Sequence, residues 1–155
     1  MSEGGCTCGA VRYALGSAPM VVHCCHCTDC QTETGRAFVI NAVIESDRVR
    51  VLSGVPDYVM TPSASGKGQE IARCPDCRVA LWSHYAGSGR ATSFIRVGTL
   101  DDPGSMPPDV HIFTRSKLPW VVLPEGAKAF EVFYPSSEGI WSEDGRARWR
   151  ALKEG

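Results

Sequence analysis

No long hydrophobic run occurs in this 155-residue chain. Its uninterrupted apolar stretches are only a few residues long, as in Trp120-Val121-Val122-Leu123. About 18 or more are needed to cross a bilayer as a helix, so no transmembrane helix is expected. Excess charge of one sign is also missing: the formal net charge is -1. That balance argues against whole-chain attraction to nucleic acid or to an anionic membrane. Met1-Ser2-Glu3-Gly4-Gly5 has neither the basic flank nor the apolar stretch of a signal peptide, and the expected compartment is cytoplasmic. Internal repeats, low-complexity tracts and charge blocks are absent as well. The expectation is one domain over residues 1–135, followed by a polar, weakly packed tail over 136–155.

Cysteine is abundant instead, with eight in the chain. Four disulfides would suit a secreted domain, but cytosolic thiols stay reduced. Eight reduced thiols in one domain point to metal or redox chemistry.

Short segments that alternate apolar and polar residues, separated by Gly and Pro, predict a mostly β fold. The expected strands are 10–15, 20–23, 37–44, 48–52, 58–61, 70–73, 79–84, 92–97 and 110–114. Val49-Arg50-Val51 and Phe94-Ile95-Arg96-Val97 suit half-buried antiparallel strands. One short helix is expected over 28–34, stopped by Gly35. Residues 127–134 fit helix or strand equally.

The cysteines fall into three clusters: Cys6-Thr7-Cys8, Cys24-Cys25-His26-Cys27-Thr28-Asp29-Cys30 and Cys74-Pro75-Asp76-Cys77. A C-x-x-C turn brings two thiolates to one ion, and C-x-C does the same in extended chain, where residues i and i+2 share a face. Cys24 and Cys25 are adjacent, so in extended chain one of them faces away from the other's partners. Cys6, Cys8, Cys74 and Cys77 would make one closed four-thiolate structural zinc site. Cys25, Cys27 and Cys30 then give three ligands and an open fourth position, the pattern of a catalytic zinc. Spacing alone leaves the pairing open, since Cys6/Cys8 with Cys27/Cys30 is also sterically conceivable. Two structural zinc sites, with Cys24 or His26 as the missing ligand, remain an alternative reading. So do a C-x-x-C redox pair and simple burial of the thiols, although no βαβ pattern surrounds either C-x-x-C pair.

Three thiolates leave a zinc site with a local charge of -1, which makes it a poor activator of water and a natural host for an incoming thiol bound as thiolate. The matching reaction class is addition of a small thiol to an aldehyde, or the reverse cleavage of a carbon–sulfur bond.

The sequence resembles the glutathione-dependent formaldehyde-activating enzymes, whose domain is shared with centromere protein V. The resemblance rests on Gly5-Cys6-Thr7-Cys8-Gly9-Ala10-Val11-Arg12-Tyr13, Cys25-His26-Cys27-Thr28-Asp29-Cys30, Thr34-Gly35-Arg36-Ala37-Phe38 and Cys74-Pro75-Asp76-Cys77. It continues through Arg96-Val97-Gly98-Thr99-Leu100-Asp101-Asp102-Pro103, His111-Ile112-Phe113, Ser116-Lys117 and Trp120. It implies a β-tent fold, curved antiparallel sheets with zinc-binding cysteine knuckles, and two zinc ions per chain. One is structural, on Cys6, Cys8, Cys74 and Cys77; the other is catalytic, on Cys25, Cys27 and Cys30. The activity implied is that of a carbon–sulfur lyase, joining glutathione and formaldehyde into S-hydroxymethylglutathione or cleaving the adduct. A non-catalytic, zinc-stabilised binding module is the competing reading.

Two departures from the family pattern stand out. Arg78 occupies the place after the last C-x-x-C where the family commonly has Gly, and Arg at a positive φ is strained. Cys24 is an extra thiol, expected as a core residue or as a spare partner for oxidation. His26 reads as a turn residue or a hydrogen-bonding neighbour of the ligands, and His111, His23 and His84 as structural strand residues. Asp29 and Glu33 read as solvated helix residues. Arg36, Arg96, Arg115 and Lys117 are the cations available to glutathione's carboxylates, with surface solvation as the default. Arg146-Ala147-Arg148-Trp149-Arg150 reads as a solvated end of the chain.

Overall fold

The computed structural model describes all residues, Met1–Gly155. The strands are β1 (Ser2–Gly5), β2 (Arg12–Leu15), β3 (Val21–Cys25), β4 (Val39–Glu45), β5 (Val49–Ser53), β6 (Asp57–Thr61), β7 (Gln69–Arg73), β8 (Ala80–Tyr85), β9 (Thr92–Arg96) and β10 (Val110–Ile112). Two α-helices, α1 (Thr28–Thr34) and α2 (Glu143–Glu154), and several single-turn 3-10 segments complete the chain. The fold is mostly β, with two sheets: three strands in the order β1-β2-β5 and seven in the order β10-β3-β4-β9-β8-β7-β6. No helix is long and apolar enough to cross a membrane.

The chain divides into two compact units, Met1–Pro19 with Ala42–Met106, and Met20–Asn41 with Pro107–Gly155. In the first, β2 pairs antiparallel with both β1 and β5, and β6, β7, β8 and β9 pair antiparallel in succession. Its core holds Val11, Tyr13, Leu15, Ile71, Leu81, Trp82 and Ile95, all nearly inaccessible. The Tyr13 and Trp82 rings meet edge to face with centroids 5.5 Å apart, a geometry favoured by the aromatic quadrupole. The alternation in Val49-Arg50-Val51 does mark a strand. As an edge strand of the small sheet, however, β5 leaves both Val51 and Leu52 41% exposed. Arg96, expected at the surface, is buried and donates to Ser83 Oγ at 2.9 Å.

In the second unit, β10 lies parallel to β3, with Val110, His111 and Ile112 opposite His23, Cys24 and Cys25. The pairing continues past β3, where the His26 amide donates to the Ile112 carbonyl. Helix α1 starts on Cys27, whose sulfur accepts the Cys30 amide, and ends on Gly35 in the left-handed region at φ 66. Gly tolerates that conformation without strain, so the predicted start and stop of this helix are the observed ones. Residues 143–154, expected as loosely packed chain, form helix α2. Ser142 caps it by accepting the Gly145 amide, Glu143 and Asp144 occupy its first turn and Lys153 its last, charges that suit the helix dipole. The stretch 127–134 is neither helix nor strand; Ala129 bridges to His111, and the backbone carbonyls of Lys128, Phe130 and Val132 accept from the amides of His111, Thr114 and Phe113.

Candidate metal centres

Cys6 and Cys8 leave the end of β1, and Cys74 and Cys77 occupy the turn between β7 and β8. Their four sulfurs lie within 4.8 Å of one another, with Cys6 to Cys8 at 3.5 Å and Cys8 to Cys74 at 3.7 Å. Thiolates on the corners of a tetrahedron around zinc, each about 2.3 Å from the ion, lie about 3.8 Å apart; the donor set and its spacing fit that ion. Both turns are built alike. The Cys6 amide donates to the Val11 carbonyl and the Cys74 amide to the Val79 carbonyl. The residue after the last cysteine has positive φ in each, 78 at Gly9 and 63 at Arg78. Arg78 therefore keeps the left-handed knuckle that its side chain disfavours. Its guanidinium donates to Asp57 Oδ2 at 2.8 Å and its carbonyl accepts from Arg73 at 3.1 Å. The backbone amide of Val79 leads the contacts that hold the Cys77 thiol down at about 6, within reach of the thiolate form a metal requires.

The second cluster, Cys25, Cys27 and Cys30, also brings its sulfurs within 4.8 Å of one another. Cys25 ends β3, Cys27 caps α1 and Cys30 sits in the helix's first turn, so a strand end and a helix start aim three thiols at one point. Contacts with the Cys25 and Cys30 thiols pull Cys27 down to about 2, aided by the Cys30 and Asp29 amides. The Cys27 contact pushes Cys25 up to about 12, and Cys25 pushes Cys30 up. Three converging sulfurs suit a thiophilic ion such as zinc, which would displace the thiol protons on binding. Gln31 Nε2 donates at 2.9 Å to both the His26 and Ser116 carbonyls, and Ser116 Oγ also donates to His26 O. These bonds anchor the helix start on which Cys27 and Cys30 depend.

A third group escaped the sequence reading. Cys24, His26 and His111 are all buried, and their ligand atoms converge within 4.8 Å. Cys24 Sγ lies 3.6 Å from His26 Nε2, which is 3.0 Å from His111 Nδ1. Alternation along β3 turns Cys24 and His26 to one side and Cys25 and Cys27 to the other, and the parallel pairing with β10 sets His111 opposite Cys24. Alternation was legible; the parallel pairing of strands some 85 residues apart was not. Burial raises the Cys24 thiol to about 12 and lowers His26 to about 4. The remaining histidines are structural: His23 Nε2 meets the Tyr134 hydroxyl at 2.7 Å and His84 Nδ1 the Thr92 carbonyl at 2.8 Å.

Comparison with known proteins adds to this geometry. No curated protein gives a significant match. Among solved structures, the chain is similar to a crystal structure of a Rhodobacter sphaeroides protein from a structural genomics programme. The two share 20% identity over 64% of this chain and 87% of that one, with a TM-score of 0.48. Residues 1–116, which contain all eight cysteines, match the family profile described as glutathione-dependent formaldehyde-activating enzyme, and the chain belongs to that family.

Proposed function

We propose that Cys25, Cys27 and Cys30 form the reactive centre of a zinc-dependent carbon–sulfur lyase-type enzyme, with glutathione or a similar small thiol and formaldehyde or a similar aldehyde as reactants. The observation that carries the reading is the contrast between the two all-sulfur clusters. One offers four sulfurs and the other three, the difference between a closed site and one with a position left for a reactant. A zinc ion on the three thiolates would supply that position and favour an incoming thiol as its thiolate.

The chain's own part is positional. Cys27 is fixed as the helix cap, Cys25 is fixed by the β3–β10 pairing, and Gln31 and Ser116 hold the helix start to the end of β3. In the net reaction the thiol sulfur forms a bond to the aldehyde carbon. The carbonyl π pair moves to oxygen, which takes up the proton the thiol released. The reverse breaks the same bond and needs no oxidant or reductant. Cys6, Cys8, Cys74 and Cys77 would hold a second, structural zinc.

The test is the rate at which S-hydroxymethylglutathione forms from glutathione and formaldehyde, followed by NMR exchange. Acceleration by the zinc-loaded wild type that falls to the uncatalysed rate in Cys27→Ser supports the enzyme. A zinc-loaded wild type with no acceleration for any small thiol and aldehyde would instead support the non-catalytic binding module.

A further inference from the structure

The Cys24–His26–His111 group lies outside both all-sulfur clusters, and the proposed thiol–aldehyde chemistry makes no use of it. We propose that it is a third metal site, built from one thiolate and two imidazoles, and that its ion is monovalent copper.

The geometry comes first. A sulfur and an imidazole nitrogen bound to one first-row ion, at about 2.3 and 2.0 Å, lie about 3.5–3.7 Å apart, and two such nitrogens about 3.3–3.5 Å apart. The observed Cys24–His26 and His26–His111 separations are 3.6 Å and 3.0 Å, and Cys24 and His111 lie within 4.8 Å of each other. The two imidazoles would therefore part by a few tenths of an ångström, and Cys24 and His111 would close on a shared ion. The backbone enforces the convergence. Cys24 and His26 share one side of an extended chain, and the parallel register puts His111 beside Cys24. His26 is completely buried, and its Nδ1 has no hydrogen-bond partner. The polar contacts of its ring are both at Nε2, toward Cys24 and His111. Phe38 packs against its ring with centroids 5.4 Å apart, which holds the imidazole at that point.

Charge selects the ion. Cys24 is 1% exposed, His26 0% and His111 8%, and a net charge enclosed there without a partner is costly. One thiolate, two neutral imidazoles and a divalent ion leave +1 within the cluster. A monovalent ion leaves zero. Thiolate and imidazole together suit copper(I), which is content with three ligands where zinc wants four. On binding, the Cys24 thiol proton leaves for solvent, and no electron is transferred.

The experiment loads full-length, zinc-replete protein anaerobically with copper(I) buffered by a copper(I)-selective chelator. Copper and zinc per chain are counted, and X-ray absorption is recorded at the copper edge. About one copper per chain, an unchanged zinc content and a shell of one sulfur and two nitrogens are expected. Cys24→Ser and His111→Gln should each weaken copper retention at least tenfold while keeping their zinc. An all-sulfur copper shell accompanied by zinc loss, or failure to retain copper, overturns the proposal. A third zinc bound in preference to copper overturns the choice of ion. Should either variant melt before loading, the wild-type copper shell decides alone. None of these readouts involves glutathione or aldehyde, so failure here and failure of the proposed function are told apart.

Discussion

Arg78 sits at φ 63 in the second cysteine knuckle, a region that costs a side-chain-bearing residue on the order of 1 kcal/mol or more. Its ion pair with Asp57 is exposed on both sides, and such pairs contribute about 0–1 kcal/mol. Strain and pairing nearly offset each other, so Arg78→Gly should raise stability slightly, by up to about 1 kcal/mol, with no change in bound zinc. Thermal melts with a metal count check both parts. Tyr13 makes a pH prediction. Burial raises its phenol to about 12, and its hydroxyl meets Thr99 Oγ1 at 2.7 Å. Above pH about 10 the unfolded chain releases this proton while the folded chain keeps it. Stability should therefore fall as pH rises from about 10 to about 12, by about 2–3 kcal/mol from this group, with no contribution below that window. Alkaline unfolding curves of wild type and Tyr13→Phe test it, because the variant should have a shallower slope by one proton.

At the scale of elements, helix α2 depends on a close approach. A Cβ on Gly145 would lie 2.5 Å from the Met20 carbonyl oxygen and 3.1 Å from the Oγ of the capping Ser142. Alanine would gain about 1 kcal/mol of helix propensity, but overpacking against backbone costs about 1–3 kcal/mol. Gly145→Ala should thus destabilise the protein on balance, and urea unfolding is the direct measure; a stabilised variant would show that the helix does not pack there. The same residues explain why α2 was illegible in sequence. Its composition is polar and its first turn contains a glycine, so no apolar stripe marks it as a helix. Helix α1 was legible because Gly35 ends it. Strand β1 was missed because Ser2-Glu3-Gly4-Gly5 lacks β-branched and aromatic residues. Its glycines answer to tertiary contact, since a Cβ on Gly4 would meet the Thr99 carbonyl at 2.5 Å. The two all-sulfur clusters could be grouped from cysteine spacing and the family resemblance. His111 joins the third through a parallel strand pairing that no local pattern announces.

For the molecule as a whole, the central claim is that two separable all-sulfur zinc sites exist, one closed and one open, each within its own compact unit. Removing a ligand from the four-sulfur site, as in Cys74→Ser, should cost global stability, because metal binding at a closed site contributes directly to folding. The decisive measurement is zinc per chain in wild type and Cys27→Ser, purified side by side without chelator, with circular dichroism to monitor the fold. The account predicts about two zinc ions in wild type and about one in the variant, with unchanged secondary structure. One zinc per chain in both proteins would contradict it, leaving Cys25, Cys27 and Cys30 without the ion on which the proposed chemistry rests.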